Sequence, residues 1–241
     1  YIPSFGNFVS VKVGDANGFQ YGLKYVLEPG GYAAMVAAGI TPETATDDQL
    51  ALYASHYFEY DSATKRVTRE KVNGGALDFA NVYATSSFAD GYNSWKTKCT
   101  ETQPDGSQNI VFTNFAGQVM LKSFEAQVGG VAKKWIQFIE YDTAGRGVLL
   151  AEPSAMTGYD PAKADLVDKV GGIYQYIRDN AGLLRAFEYY ATTDLPNGSV
   201  QGYLRFEKGK QGELGTATNL RELLYTSRTV GSTTIYPTTR R

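Results

Sequence analysis

His56 and Cys99 are the sole histidine and the sole cysteine in 241 residues, and that scarcity limits the chemistry available. One imidazole cannot build a multi-histidine zinc centre, and Cys99 lies far from it in sequence. A nucleophilic relay through His56 would need an activated partner, but the chain has no G-x-S-x-G elbow. It has no P-loop, and its glycine pairs lack the G-x-G-x-x-G spacing of a dinucleotide site. His56 falls between a helical signal and a strand, so it reads as a packing or surface residue. Cys99 sits in "WKTKCTE", where alternation would bury the side chain, and reads as an inert thiol.

Oxygen ligands and aromatic rings come next. Asp15, Asn17 and Gly18 ("DANG") resemble the start of a calcium loop, but the twelve-residue ligand pattern with its closing Glu is missing. An Asx turn explains these residues more simply. The 25 acidic residues offer many carboxylate pairs, and no pair is singled out for glycoside chemistry. Asn197-Gly198-Ser199 meets the glycosylation sequon, yet it already reads as a Pro-Asn-Gly turn. Trp95 and Trp135 are the residues best suited to stack on a sugar, although each lies in a strand-like run where a core position is expected. No metal or cofactor is expected.

The same carboxylates make more sense as turn residues. An Asp or Asn followed three residues later by Gly starts at Asp15, Asn114, Asp142 and Asp179, paired with Gly18, Gly117, Gly145 and Gly182. A degenerate copy starts at Asp61, where Thr64 replaces the glycine. Asp or Asn can accept bonds from backbone N–H groups two residues on, and Gly tolerates positive φ where the turn closes. Strand-like runs precede four of these starts: "SHYFEY", "NIVFT", "WIQFIEY" and "GIYQYIR". The expected unit is strand, tight turn, strand, recurring at irregular intervals of 46, 53, 28 and 37 residues. Arg146, directly after the turn at Asp142, is expected to pair with a neighbouring repeat's acid or to cover an aromatic ring.

Composition supports a β protein that buries a sizeable core. There are 18 Tyr against 12 Phe and 2 Trp, and Tyr favours strands while keeping its hydroxyl wet. A net charge of −2 makes no case for nucleic acid or an anionic membrane. No run approaches the ~18 apolar residues that cross a bilayer. A lone cysteine permits no intrachain disulfide and leaves the compartment open. Tyr1 is read as an internal point of a longer polypeptide.

Strands are expected over 7–13, 19–27, 55–60, 66–72, 109–113, 118–125, 134–141, 147–151, 173–178, 183–191, 200–207, 219–227 and 232–236. "QPDGSQ" (103–108) and "LPNGSV" (195–200) supply further hairpin turns. Helices are expected over 41–56, with Thr41 as N-cap and Pro42 next, and over 159–172, capped by Asp160 and stopped by Gly171. A weaker helical signal covers 29–39. The fold class is therefore mainly β, an antiparallel hairpin-repeat sheet with one to three short helical insertions, in one block over 1–241.

Tyr60-Asp61, Tyr141-Asp142 and Gly145-Arg146, together with "VFTNFAGQVMLKSF", "WIQFIEYDTAGRGVLLAEPSAMTGYD", "VQGYLRFEKGKQGELGTA" and "STTIYP", resemble the YD repeats of bacterial Rhs and wall-associated proteins. They are most similar to a subset of very long bacterial surface YD-repeat proteins. The similarity covers residues 100–236 best and the first 55 residues poorly. It implies a twisted antiparallel sheet spiralling into a shell or tube. It also implies a non-enzymatic structural role in a secreted or cell-surface protein that builds a shell, wall or fibre. Partners would then be flanking repeats of the same chain or copies of it. The alternative is an adhesion module that binds carbohydrate through Trp95 and Trp135.

Overall fold

A computed structural model describes the backbone of residues 8–9 and all of residues 17–19 and 21–239. The protein is mainly β and antiparallel. Its contacts gather into two compact units: Tyr1–Tyr83 with Cys99–Asn109, and Ala84–Lys98 with Ile110–Arg241.

The first unit begins with β1 (Phe8–Val9) and β2 (Tyr25–Leu27), followed by helices α1 (Pro29–Ala37) and α2 (Asp47–Ala51). The strands β3 (His56–Tyr60), β4 (Val67–Val72) and β5 (Leu77–Thr85) come next. Strands β5, β6 (Trp95–Thr102) and β7 (Gln108–Asn114) each give residues to both units. The second unit continues with β8 (Val119–Val128), β9 (Val131–Tyr141) and β10 (Gly147–Ala151). Two short strands, β11 (Lys169–Val170) and β12 (Ile173–Tyr174), pair only with each other. Then come β13 (Leu183–Tyr189), β14 (Leu204–Gln211) and β15 (Thr218–Glu222). The short strands β16 (Leu224–Tyr225), β17 (Arg228–Val230), β18 (Thr233–Ile235) and β19 (Thr238–Thr239) complete the chain. Among the described residues, hydrogen-bonded neighbours in the thirteen-stranded sheet follow chain order, β1 to β10 and then β13 to β15.

Each unit has its own core. In the first, Leu27, Met35, Leu50 and Tyr57 pack together where α1 and α2 cover β2 and β3. In the second, Phe112, Met120, Leu121, Ile136 and Phe138 from β7, β8 and β9 are buried, and Leu166 and Val167 join them from the 153–182 segment. Each such side chain contributes on the order of 2 kcal/mol by leaving water.

The helices differ from expectation in instructive ways. Thr41 caps only a single 3-10 turn, Pro42–Thr44. The α-helix starts after Thr46, whose hydroxyl accepts from the Gln49 N–H while the Gln49 side chain accepts from Thr46 N–H. That capping box outcompetes the earlier Thr-Pro signal, and the helix stops before β3 claims His56. The 159–172 helix does not form. Asp160 accepts from Ala162 N–H, and Asp165 accepts from the N–H groups of Val167, Asp168 and Lys169, so carboxylates replace the helical carbonyl partners. Gly171 is no helix stop, since it turns the β11–β12 hairpin with Gly172.

Two strands are shorter than expected, Tyr25–Leu27 from 19–27 and Ile173–Tyr174 from 173–178, and the strand expected over 200–207 lies four residues later, at Leu204–Gln211. β5 was not expected as a strand, because it is open to solvent along much of its length and shows no clean apolar alternation, and β6 was absent from the expected spans although Trp95 and Cys99 read as lying in a strand-like run.

Candidate functional site

The recurring Asp and Asn side chains at Asp61, Asn114 and Asp142 each organise a hairpin turn. In the turn between β9 and β10, Asp142 Oδ1 accepts from Ala144 N–H and Arg146 N–H, both at 2.9 Å. Gly145 N–H donates to Asp142 C=O at 3.0 Å, and Asp142 N–H donates to Arg146 C=O at 2.8 Å. Gly145 has φ +75, and a Cβ there would lie 2.6 Å from the Tyr92 ring. This is a type I turn closed by a left-handed residue, followed by a bulge. Asp142 Oδ2 is held by Arg146 Nε at 2.7 Å. Burial of Asp142 opposes ionisation, but hydrogen bonds from the Arg146 side chain and from the Arg146 and Ala144 N–H groups outweigh it and hold its pKa below the usual value.

Asn114 repeats the design between β7 and β8. Its Oδ1 accepts from Ala116 N–H and Gln118 N–H at 3.0 Å, and Gly117 (φ +76) closes the turn onto Asn114 C=O. Gln118 stands where Arg146 stands in the other turn, and its Nε2 donates to Gly145 C=O at 2.8 Å. The degenerate copy at Asp61 is one residue longer. Asp61 N–H bonds to Arg66 C=O, and Lys65 N–H bonds to Asp61 C=O. The left-handed position therefore moves to Lys65 (φ +60), which is why Thr64 needs no glycine there. Thr64 instead donates both its N–H and its hydroxyl to Asp61 Oδ1, the main reason that carboxyl's pKa is lowered.

A tyrosine closes each of these three turns from the next paired strand. Tyr83 on β5 donates its hydroxyl to Val67 C=O at 3.0 Å. Tyr141 on β9 donates to Val119 C=O at 2.6 Å, and Tyr189 on β13 donates to Gly147 C=O at 2.7 Å. The acceptors are the residues directly after Arg66, Gln118 and Arg146. Where an arginine is present, it lies over the closing ring: Arg66 over Tyr83 at 5.0 Å and Arg146 over Tyr189 at 4.5 Å. Burial pushes all three phenols above the usual tyrosine value. Tyr60 and Tyr141, the residues before Asp61 and Asp142, thus have two jobs. Each precedes one turn and donates its hydroxyl back across the sheet, Tyr60 to Leu23 C=O.

No protein-family model matches this chain, and no curated protein matches it.

Arg146 pairs with the acid of its own turn and also covers a ring. A Cβ built on Gly202 would lie 3.6 Å from Arg146 Nη1. Asp179 and Gly182 do not form the expected hairpin turn. β13 pairs with β10 and β14, so the strand before Asp179 is not its partner. Instead Asp179 C=O accepts from Leu214 N–H at 2.8 Å, and Gly182 (φ +81) lies against the Ala155 backbone. Asp15 lies outside the described residues. Gly18 follows Asn17, whose carbonyl accepts from Lys24 Nζ and Tyr60 N–H.

His56 Nδ1 lies 2.9 Å from Glu70 Oε1 and stacks on Phe58. The Cys99 thiol is half-buried, and that burial pushes its pKa up. Asn197 donates to Asp194 Oδ2 within its 3-10 turn. Trp95 is 7% exposed with Nε1 donating to Pro161 C=O, whereas Trp135 is 43% exposed. Among the described residues, no three His, Cys, Asp or Glu side chains are grouped to hold a metal, and no helix is long and apolar enough to cross a membrane.

Sequence reasoning missed Tyr83, Tyr189, Arg66 and Gln118. The tyrosine excess was the available signal, but which ring closes which turn depends on strand pairing. Asn93 carried no signal at all. Its amide accepts from Tyr141 N–H at 2.8 Å and donates to Tyr141 C=O at 2.7 Å, substituting for a strand partner.

Proposed function

We propose that this chain is a non-enzymatic structural module of a secreted or cell-surface protein, of the YD-repeat kind, building a β-rich shell, wall or fibre. One observation carries the reading. At Asp61–Arg66–Tyr83 and at Asp142–Arg146–Tyr189 the turn acid's N–H donates to the arginine C=O, the arginine lies over the tyrosine of the next paired strand, and that tyrosine's hydroxyl donates to the carbonyl directly after the arginine. The turn acids, arginines and closing tyrosines are thereby engaged with one another and with backbone. They brace hairpins instead of facing a substrate, as a load-carrying sheet would require. Each hydroxyl–carbonyl bond contributes about 1 kcal/mol net, so repetition along a sheet adds stability in small, regular steps. Partners on this reading are further repeats of the same polypeptide or copies of it.

The test is where the native polypeptide resides and how large it is. An antibody to this sequence should label intact cells or the secreted fraction, the signal should vanish when whole cells are treated with protease, and the denatured mass should far exceed 26.3 kDa. A protease-resistant cytoplasmic band near that mass would overturn the proposal.

A further inference from the structure

We propose that the Phe124–Trp135 pair on the solvent-facing side of β8 and β9 is a binding platform for an acidic polysaccharide, a chain of sugar rings bearing carboxylates. The proposal stands apart from the structural role above.

Phe124 and Trp135 are directly opposite in register, with ring centroids 5.5 Å apart and planes 33° apart. Side chains alternate across a strand, so Leu121, Ile136 and Phe138 turn into the core while Lys122, Phe124, Lys133 and Trp135 share the other face. A tryptophan that is 43% exposed on a strand with a well-packed inner face presents its ring to solvent. Lys122 and Lys133 flank the aromatic pair, both are exposed, and neither forms an ion pair among the described residues. Lys134, on the opposite face, contrasts with them, since it is neutralised by Glu125 at 3.0 Å. Glu152, the acid that reaches this face through Gln137, is already engaged by Gln137 Nε2 at 3.0 Å and by Arg185 Nε at 3.6 Å.

An exposed ring between two unpaired ammonium groups selects for a flat, partly apolar and negatively charged partner. A pyranose lays its C–H face on an aromatic ring, and a uronate carboxylate 5-carbon-attached to that ring can reach an adjacent lysine. A neutral polysaccharide would leave both lysines without a role. A single-stranded nucleic acid could also stack, but it needs a longer basic track than two lysines in a chain of net charge −2.

The chain reports on itself, because Trp95 is buried and a ligand-induced emission change must come from Trp135. The polypeptide is titrated with polygalacturonate, alginate and hyaluronan, with dextran and hydroxyethyl cellulose as neutral polymers and oligo-dT as the nucleic acid. At least one acidic polymer should shift the emission, and added salt should weaken it. Read by isothermal titration calorimetry, since these variants lack the reporting ring, Trp135→Ala should weaken binding about tenfold, with Trp135→Phe retaining part of it. Lys122→Gln with Lys133→Gln should weaken it by about fivefold and flatten the salt dependence. Silence from all three acidic polymers, equal binding of a neutral polymer, or tighter binding of oligo-dT would each overturn the proposal.

Discussion

Tyr189 donates its hydroxyl to Gly147 C=O at 2.7 Å while Arg146, the residue before that glycine, lies over its ring at 4.5 Å. One tyrosine thus fixes both the first carbonyl of a strand and the charged side chain that leads into it. Tyr83 does the same for Val67 and Arg66. The two sites are 81 residues apart along the turn acids Asp61 and Asp142 and differ by one residue in turn length, yet both end in the same tyrosine and arginine contacts.

That equivalence predicts similar costs for removing each hydroxyl. Tyr83→Phe, Tyr141→Phe and Tyr189→Phe should each destabilise by about 1–2 kcal/mol, because a partly buried carbonyl loses its donor. Tyr21→Phe, at an exposed ring, should change stability by less than about 0.5 kcal/mol. Urea unfolding of the four variants measures this. A negligible loss at all three closing tyrosines would remove the interlock as a source of stability.

The same phenols set an alkaline limit. Burial raises the folded-state values of Tyr83, Tyr141 and Tyr189, and of Tyr159 and Tyr174 more strongly still. A raised folded value means the stabilisation is fully present below the unfolded value of about 10 and is lost as pH rises through the folded one. Absorbance at 295 nm should therefore show exposed tyrosines ionising first. A second group should ionise well above pH 10 together with loss of the β signal in far-ultraviolet dichroism. A single smooth titration with the β signal intact would contradict this.

Two glycines separate backbone strain from steric conflict. Gly117 and Gly145 have nearly the same φ, +76 and +75, but a Cβ at Gly117 meets nothing within 4 Å while one at Gly145 strikes the Tyr92 ring. Gly117→Ala should cost about 1 kcal/mol, the conformational price of a left-handed alanine. Gly145→Ala should cost about 1–3 kcal/mol more, unless the Tyr92 ring swings away. Thermal midpoints of the two variants test this, and equal losses would show that the ring yields freely.

The hairpin plan was legible because Asp, Asn and Gly announce turns locally. Asp142, Gly145, Asn114 and Gly117 behave as their spacing predicts, and β10 begins and ends where expected. Asp179 misled for the same reason: the string is identical, but its meaning depends on whether the flanking strands pair, which is a non-local fact. The 159–172 segment failed because a capping aspartate and a loop-closing aspartate look alike in sequence. β6 was half legible, since Trp95 and Cys99 alternate onto one face of "WKTKCTET" while the lysines and threonines of the other face give no apolar pattern. The closing tyrosines lay beyond local reading altogether, because each acts on a turn through the strand paired beside it.

The two tryptophans should report opposite environments. Trp95 meets Phe112 edge-on at 5.3 Å and Phe88 at 6.0 Å, whereas Trp135 is covered chiefly by Phe124. Acrylamide should therefore quench emission in two components. Trp135→Phe should leave only a protected, blue-shifted signal, and Trp95→Phe should leave only an accessible one. Easy quenching of both rings would contradict the core packing of Trp95. Protection of both would mean that the Trp135 face is covered in solution, and the platform could then bind a polysaccharide only by displacing whatever covers it.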